Sequence, residues 1–193
     1  MKIDIILAGV GGQGILSIAA TIGYAAIEMG LFLKQSEVHG MSQRGGDVQS
    51  HLRLSDKEIA SDLIPFGKAD LIISVEPMES LRYLPMLSKD GWLITNTTPF
   101  ININNYTDVD ILMSKISSLK QFVALDADSM AKDLGAARSA NMVILGAATP
   151  HIKIGYEKFE NAIRNIFKNK GEEVIAVNLA ALKAGKDYTE QNS

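Results

Sequence analysis

The sequence predicts an α/β fold: a three-layer Rossmann-like domain with a mixed, mostly parallel sheet and a C-terminal helical segment. Three observations carry this expectation. Short, nearly uninterrupted apolar runs at residues 2–8 and 70–75 read as strands buried on both faces, as in a parallel sheet. Stretches with helical spacing of apolar residues separate such runs. A segment at 47–54 alternates instead, and so adds an antiparallel strand to the sheet.

The elements follow in order. After the strand at 2–8 comes a glycine turn, then Ile15, Ile18, Ala19, Ile22, Ala26 and Met29 at helical spacing, so a helix runs to about residue 29. Gly30 ends it. Residues 31–36 form a second strand, which completes a β-α-β unit of the usual right hand. The alternating strand at 47–54 is followed by turn residues 55–57, and residues 58–61 are expected to return as its short hairpin partner. The strand at 70–75 leads to Pro77, which suits the first turn of a helix reaching about residue 87 and stopped or kinked by Pro85. Residues 91–96 are another strand, 97–105 are irregular, and 109–119 are helical. A short strand at 122–125 precedes Asp126, a natural helix cap. Helices are expected at 127–134, 140–148, 157–168 and 172–183. Residues 1–187 read as a single domain and 188–193 as a polar tail.

Composition removes several classes of function. The chain has no cysteine, so it offers no disulfide, no thiolate-held iron–sulfur cluster and no cysteine zinc site. His39, His51 and His151 have no metal-ligand spacing. The formal net charge of −3 and the lack of a Lys/Arg run give no footprint for nucleic acid. Residues 5–27 carry no charge, which is long enough to suggest a membrane span, but four glycines fall within residues 9–14. A helix would lose up to ~1 kcal/mol at each, so strand, turn and helix fit better and no membrane association is expected. The first strand begins at once, with Asp4 in it, and a cytoplasmic protein without a signal peptide is the expectation.

Two glycine-rich segments carry the candidate chemistry. Gly9, Gly11 and Gly14 of G-V-G-G-Q-G match a phosphate-binding fingerprint between strand and helix, with Gly12 and Gln13 between them. There the backbone can approach an anion and the helix N-terminus favours negative charge. The same residues also suit a tight turn that holds no ligand. Glu37 is the one acid near the end of the second strand, and it sits late for a nicotinamide ribose. The second segment, S-E-V-H-G-M-S-Q-R-G-G at 36–46, is polar and neither apolar nor periodic, as binding loops are. Arg44, beside Gln43 and ahead of Gly45 and Gly46, can present its planar fork to a carboxylate or phosphate, or pair with Glu37 or Asp47. His39 titrates near neutrality or serves as a hydrogen-bonded loop residue. Ser17, Ser42 and Ser50 lack a nucleophile-elbow setting, and no pair of carboxylates has a glycosidase-like context. The residues describe an α/β scaffold with two anion-friendly loops and no catalytic group of its own.

Together these segments resemble the gamma-subunit/domain family of 2-oxoacid:ferredoxin oxidoreductases. The H-G-M-S-Q-R-G-G version is most similar to the indolepyruvate oxidoreductase beta-subunit branch of that family. D-L-I-I-S-V-E-P at 70–77, N-M-V-I-L-G-A at 141–147 and V-N-L-A-A-L-K-A-G at 177–185 agree, so the likeness spans nearly the whole chain. The resemblance implies one subunit of an enzyme that decarboxylates an aryl-pyruvate oxidatively, with coenzyme A as co-substrate and ferredoxin as electron acceptor. It implies that thiamine diphosphate, Mg and [4Fe-4S] clusters sit on a larger partner subunit and none on this chain. It further implies that Gly9, Gly11, Gly12, Gln13 and Gly14 belong to a cofactor-binding loop. His39, Gln43, Arg44, Gly45 and Gly46 would then contact substrate or coenzyme A at a shared site, and the isolated chain would be inactive and prone to form a homodimer. A free Rossmann-type nucleotide-binding module or regulator is the alternative.

Overall fold

Apolar side chains alternate across the central strands, and that alternation builds the two cores of the molecule. The computed structural model describes residues 1–39 and 45–192, with residue 39 described through its backbone alone. Its elements are β1 (Lys2–Val10), α1 (Ile15–Glu28), β2 (Phe32–His39), β3 (Asp47–Ser55), β4 (Ala69–Ser74), α2 (Pro77–Arg82) and β5 (Leu87–Asn96). Then come α3 (Val109–Ser117), β6 (Phe122–Leu125), α4 (Ala127–Asp133), α5 (Ala140–Ala148), α6 (Tyr156–Phe167) and α7 (Glu172–Asn192). On β1 and β4, Ile3, Ile5, Leu7, Leu71 and Ile73 pack with α1, α5, α6 and α7 on one face. Ile6 and Ile72 pack with Leu93, Ile116 of α3 and Leu81 of α2 on the other. Strands apolar on both sides need cover on both sides, which makes the three layers.

The six-stranded sheet has the order β2-β3-β1-β4-β5-β6. Strands β1, β4, β5 and β6 pair in parallel. Only β3 runs the other way, antiparallel to β1 and to β2. The mixed, mostly parallel sheet is as expected, and β2 runs parallel to β1, as a β-α-β unit requires, with β3 inserted between them. One local expectation fails. Residues 58–61 form no strand. Both edges of β3 are filled by its neighbours, so no ladder is free for a third partner. The segment is instead pinned by Arg53 Nη1, which donates to the carbonyls of Ser61 and Leu63, each at 2.9 Å. The second strand is also longer than expected. Ser36 to His39 pair with His51 to Val48, so the polar stretch at 36–39 is edge strand rather than loop.

Two helical boundaries differ. The Pro77 helix ends at Arg82, and Pro85 lies in a separate 3₁₀ turn at Leu84–Met86. The last helix continues past residue 183 to Asn192, through the segment read as a polar tail. Lys186 pairs with Glu190 one turn on, and Tyr188 Oη donates to the Ala124 carbonyl at 3.0 Å. Thr189 is buried and its hydroxyl donates to the Ala147 carbonyl at 2.9 Å, so a polar stretch is held as helix by local pairs and tertiary bonds.

Candidate functional site

Strand order decides where a site can lie. The helix after β1 packs on one face of the sheet and the helix after β4 on the other. Loops diverge at that switch point, and open α/β sheets bind ligands in the crevice it leaves. The glycine turn after β1 sits there. Its backbone closes by Gln13 N–H donating to the Val10 carbonyl at 3.1 Å. The Gln13 side chain accepts from Val10 N–H at 2.8 Å and reaches the Val75 carbonyl at 3.5 Å. Its amide therefore ties the turn to the end of β4. Gly14, at φ 83°, is the N-cap residue of α1, a left-handed position that favours glycine.

Beside the turn is a cleft of about 400 Å³ lined by Gly12, Gln13, Gly14, Ser17, Asn96, Asp128, Arg138 and Asn141. The N-termini of α1 and α5 both open onto it. Asn141, in the first turn of α5, donates to the Gly14 carbonyl at 3.1 Å and locks the two helix starts together. Neither α1 nor α5 has a side-chain cap at its N-terminus. Asn96 is buried at the end of β5. Its amide donates to Asp128 at 2.7 Å and its carbonyl oxygen accepts from Ala127 N–H at 3.1 Å. Arg138 is exposed at the cleft, a cation beside two helix ends that favour anions. Sequence reasoning missed Asn96, Arg138 and Asn141 as site residues. Their signal is topological, since each lies at the end or start of an element on the switch-point side. Asp126 is a helix cap, as expected: the Ser129 N–H, first among several donors, holds its carboxyl below the usual carboxylate range.

The two glycine-rich segments meet. Gly11 N–H donates to the Gly46 carbonyl at 2.8 Å, and Gly45 N–H to the Gly11 carbonyl at 3.4 Å. A hollow of about 260 Å³ beside this junction is lined by Val10, Gly11, Gly12, Leu16, Glu37 and Val48. Gln43 and Arg44, and the side chain of His39, lie outside the described residues. Glu37 stands on β2, two strand spacings or about 10 Å from β1, whereas an ordinary dinucleotide site has its acid on the neighbouring strand. His51 and His151 stand apart from the cleft. His51 Nδ1 accepts from Ile64 N–H at 2.9 Å and burial pushes its pKa down. His151 stacks on Trp92 with ring centres 4.1 Å apart, and burial lowers it too.

Among the described residues no group of three or more His, Asp or Glu side chains is arranged to hold a metal ion. With no cysteine in the sequence, an iron–sulfur cluster does not fit this chain. An anionic organic ligand fits better, at the cleft beside Arg138. No helix among the described residues is long and apolar enough to cross a membrane.

Residues 4–188 match the family described as pyruvate ferredoxin/flavodoxin oxidoreductase. The chain is 34% identical over 194 residues to the indolepyruvate oxidoreductase subunit IorB of Archaeoglobus fulgidus, covering 96% of this chain and 94% of that one. It is 36% identical over 193 residues to the IorB subunit of Thermococcus kodakarensis, covering 94% and 93%. Its fold matches that of a 2-oxoglutarate:ferredoxin oxidoreductase from Magnetococcus marinus, solved with 2-oxoglutarate, coenzyme A and succinyl-CoA. That match has a TM-score of 0.78 at 22% identity, over 98% of this chain and 31% of that one.

Proposed function

The chain belongs to the pyruvate ferredoxin/flavodoxin oxidoreductase family, and from that premise we propose that it is one subunit of a 2-oxoacid:ferredoxin oxidoreductase acting on indolepyruvate or a related aryl-pyruvate. The observation that carries this reading is the junction of the two glycine-rich segments beside an anion-favouring cleft, on a chain whose described residues offer no metal cluster. Such a chain completes a site and leaves the chemistry to another. In the overall reaction the 2-oxoacid loses carbon dioxide, its acyl group passes to coenzyme A, and two electrons pass to ferredoxin. Thiamine diphosphate with Mg, on a larger partner subunit, supplies the decarboxylation, and [4Fe-4S] clusters there carry the electrons. This chain binds and orients. The N-termini of α1 and α5 and the Arg138 guanidinium favour the anionic groups of substrate or coenzyme A, while Gly11, Gly12, Gln13 and Gly14 shape the wall. Gly9 is buried in β1, where a Cβ would meet Val75, and lets the turn pack behind it. We assign His39, Gln43, Arg44, Gly45 and Gly46, from the segment that joins β2 to β3, to the same ligand. The complex works in the cytoplasm.

Exposed Phe100, Ile101 and Ile103, close to Gly45, fit a surface that the partner covers and that would pair with a second copy when the chain is alone. Measuring KM values in the assembled enzyme tests the reading. Arg44→Ala and Arg138→Ala should each raise KM for coenzyme A or for the oxoacid by about tenfold, as the loss of a charged hydrogen bond does. Unchanged KM and turnover in both would overturn the site. The alternative, a free nucleotide-binding module, requires NAD or FAD to bind the isolated chain in a calorimetric titration, and the inserted β3 argues against it.

A further inference from the structure

Two separate braces of the segment that enters β3 start from Glu76. This residue follows β4 and is fully buried. Its Oε2 accepts from Glu79 N–H at 2.8 Å and so caps α2. Its Oε1 accepts from Phe100 N–H at 3.3 Å and from the Tyr106 hydroxyl. Burial first, and the Glu76 carboxyl next, push the Tyr106 phenol well up, so it stays a protonated donor at neutral pH.

Each bond leads to the hairpin. Beyond α2, Tyr83 Oη donates to Asp47 Oδ2 at 3.1 Å, at the first residue of β3. Within the segment between Phe100 and Tyr106, Asn102 Nδ2 donates to the Gly45 carbonyl. Asp47 and Gly45 flank Gly46, whose carbonyl takes the Gly11 amide. The loop after β5 carries no charge from residue 97 to 107, and the Glu76 carboxyl holds it at Phe100 and Tyr106, on either side of Asn102.

We propose that Glu76, acting through Tyr106–Asn102 and through α2–Tyr83, is a positioning residue that sets residues 45–47, where the chain enters β3, against the glycine turn. The bracing itself stands on these bonds alone, and its consequence for turnover rests on the function proposed above. Glu76 touches no ligand in this account. Its part is to fix the spacing between two walls, where a displacement of about 1 Å can lower a rate by as much as about a hundredfold.

The test has two readouts. In the full isolated chain, Tyr106→Phe and Asn102→Ala cut one brace and Tyr83→Phe cuts the other, each without opening a large void. Hydrogen exchange at the Gly11 and Gly45 amides should quicken about fivefold or more in each, with β1 and β4 unchanged, because a local opening becomes easier. Glu76→Gln can serve one arm but has no second acceptor oxygen, and should fall between wild type and the Tyr83→Phe/Tyr106→Phe double variant. In the assembled enzyme, Tyr106→Phe should lower kcat/KM about tenfold with full assembly and little change in Tm. Exchange at Gly11 and Gly45 that stays at the wild-type rate in all three single variants overturns the proposal. Faster exchange in a chain whose wild type supports no oxoacid oxidation would leave the brace standing and overturn the proposed function instead.

Discussion

Gly11 and Gly46 are hydrogen-bonded across 35 residues of sequence, amide to carbonyl at 2.8 Å. That bond makes the glycine turn and the hairpin one wall, and it makes the backbone geometry of the turn a measurable quantity.

Gly12 and Gly14 both have positive φ, at 102° and 83°. A Cβ at Gly12 would meet nothing within 4 Å, while one at Gly14 would lie 2.5 Å from Asn141 Nδ2. Gly12→Ala should cost about 1–2 kcal/mol, the usual strain of a left-handed residue. Gly14→Ala should cost more, and should also displace Asn141 from the cleft. Thermal melts of the two variants check this, and a smaller loss for Gly14→Ala would contradict it.

α5 and α7 cross at their glycines. A Cβ on Gly146 would sit 1.9 Å from the Leu182 carbonyl oxygen, and one on Gly185 1.9 Å from that of Val143. Both contacts are with backbone, so the helices must separate. Gly146→Ala and Gly185→Ala should each destabilise by about 3 kcal/mol, at the upper end for overpacked cores. Denaturant titration measures it.

Asp4 is buried and held by Arg53, whose Nε donates to Asp4 Oδ1 at 2.8 Å. Arg53→Ala leaves that carboxyl to the exposed Lys2 ammonium, 2.6 Å from Oδ2, and frees the segment at 61–63. A loss of about 3 kcal/mol is expected, the lower end for a broken buried pair because Lys2 remains, and on the order of 10 °C in Tm for a chain of this length. Replacing Asp4 and Arg53 together by apolar residues should recover most of it.

His51 and His151 are both lowered by burial from their ordinary value of 6.5. The unfolded chain then binds more protons as the pH falls below about 6.5, so stability is complete above that value and declines as the pH drops toward the lowered native values. Tm should fall as the pH drops below about 6.5, and the double variant His51→Asn/His151→Asn should flatten that slope.

Much of the fold was legible because burial on both faces marks a strand directly, as in residues 2–8 and 70–75. The partner of the 47–54 strand was not legible. Its alternation gives the existence of a hairpin but not which neighbour closes it, and the register that seats β3 between β1 and β2 is long-range. The helical state of 186–192 was hidden for a similar reason: polar residues there are stabilised by one-turn pairs and by the Thr189 bond to Ala147. At the site, the glycine turn and the polar segment at 36–46 were visible as motifs, and their meeting was not. Asn96, Arg138 and Asn141 are unremarkable in sequence and acquire meaning only where β5, α4 and α5 converge.

The most direct measurement is oxoacid oxidation by the larger subunit proposed above, produced with and without this chain. The account predicts a stable complex and coenzyme A-dependent reduction of ferredoxin by indolepyruvate only when both are present. Equal activity of the larger subunit alone, or full activity of this chain alone, would contradict it.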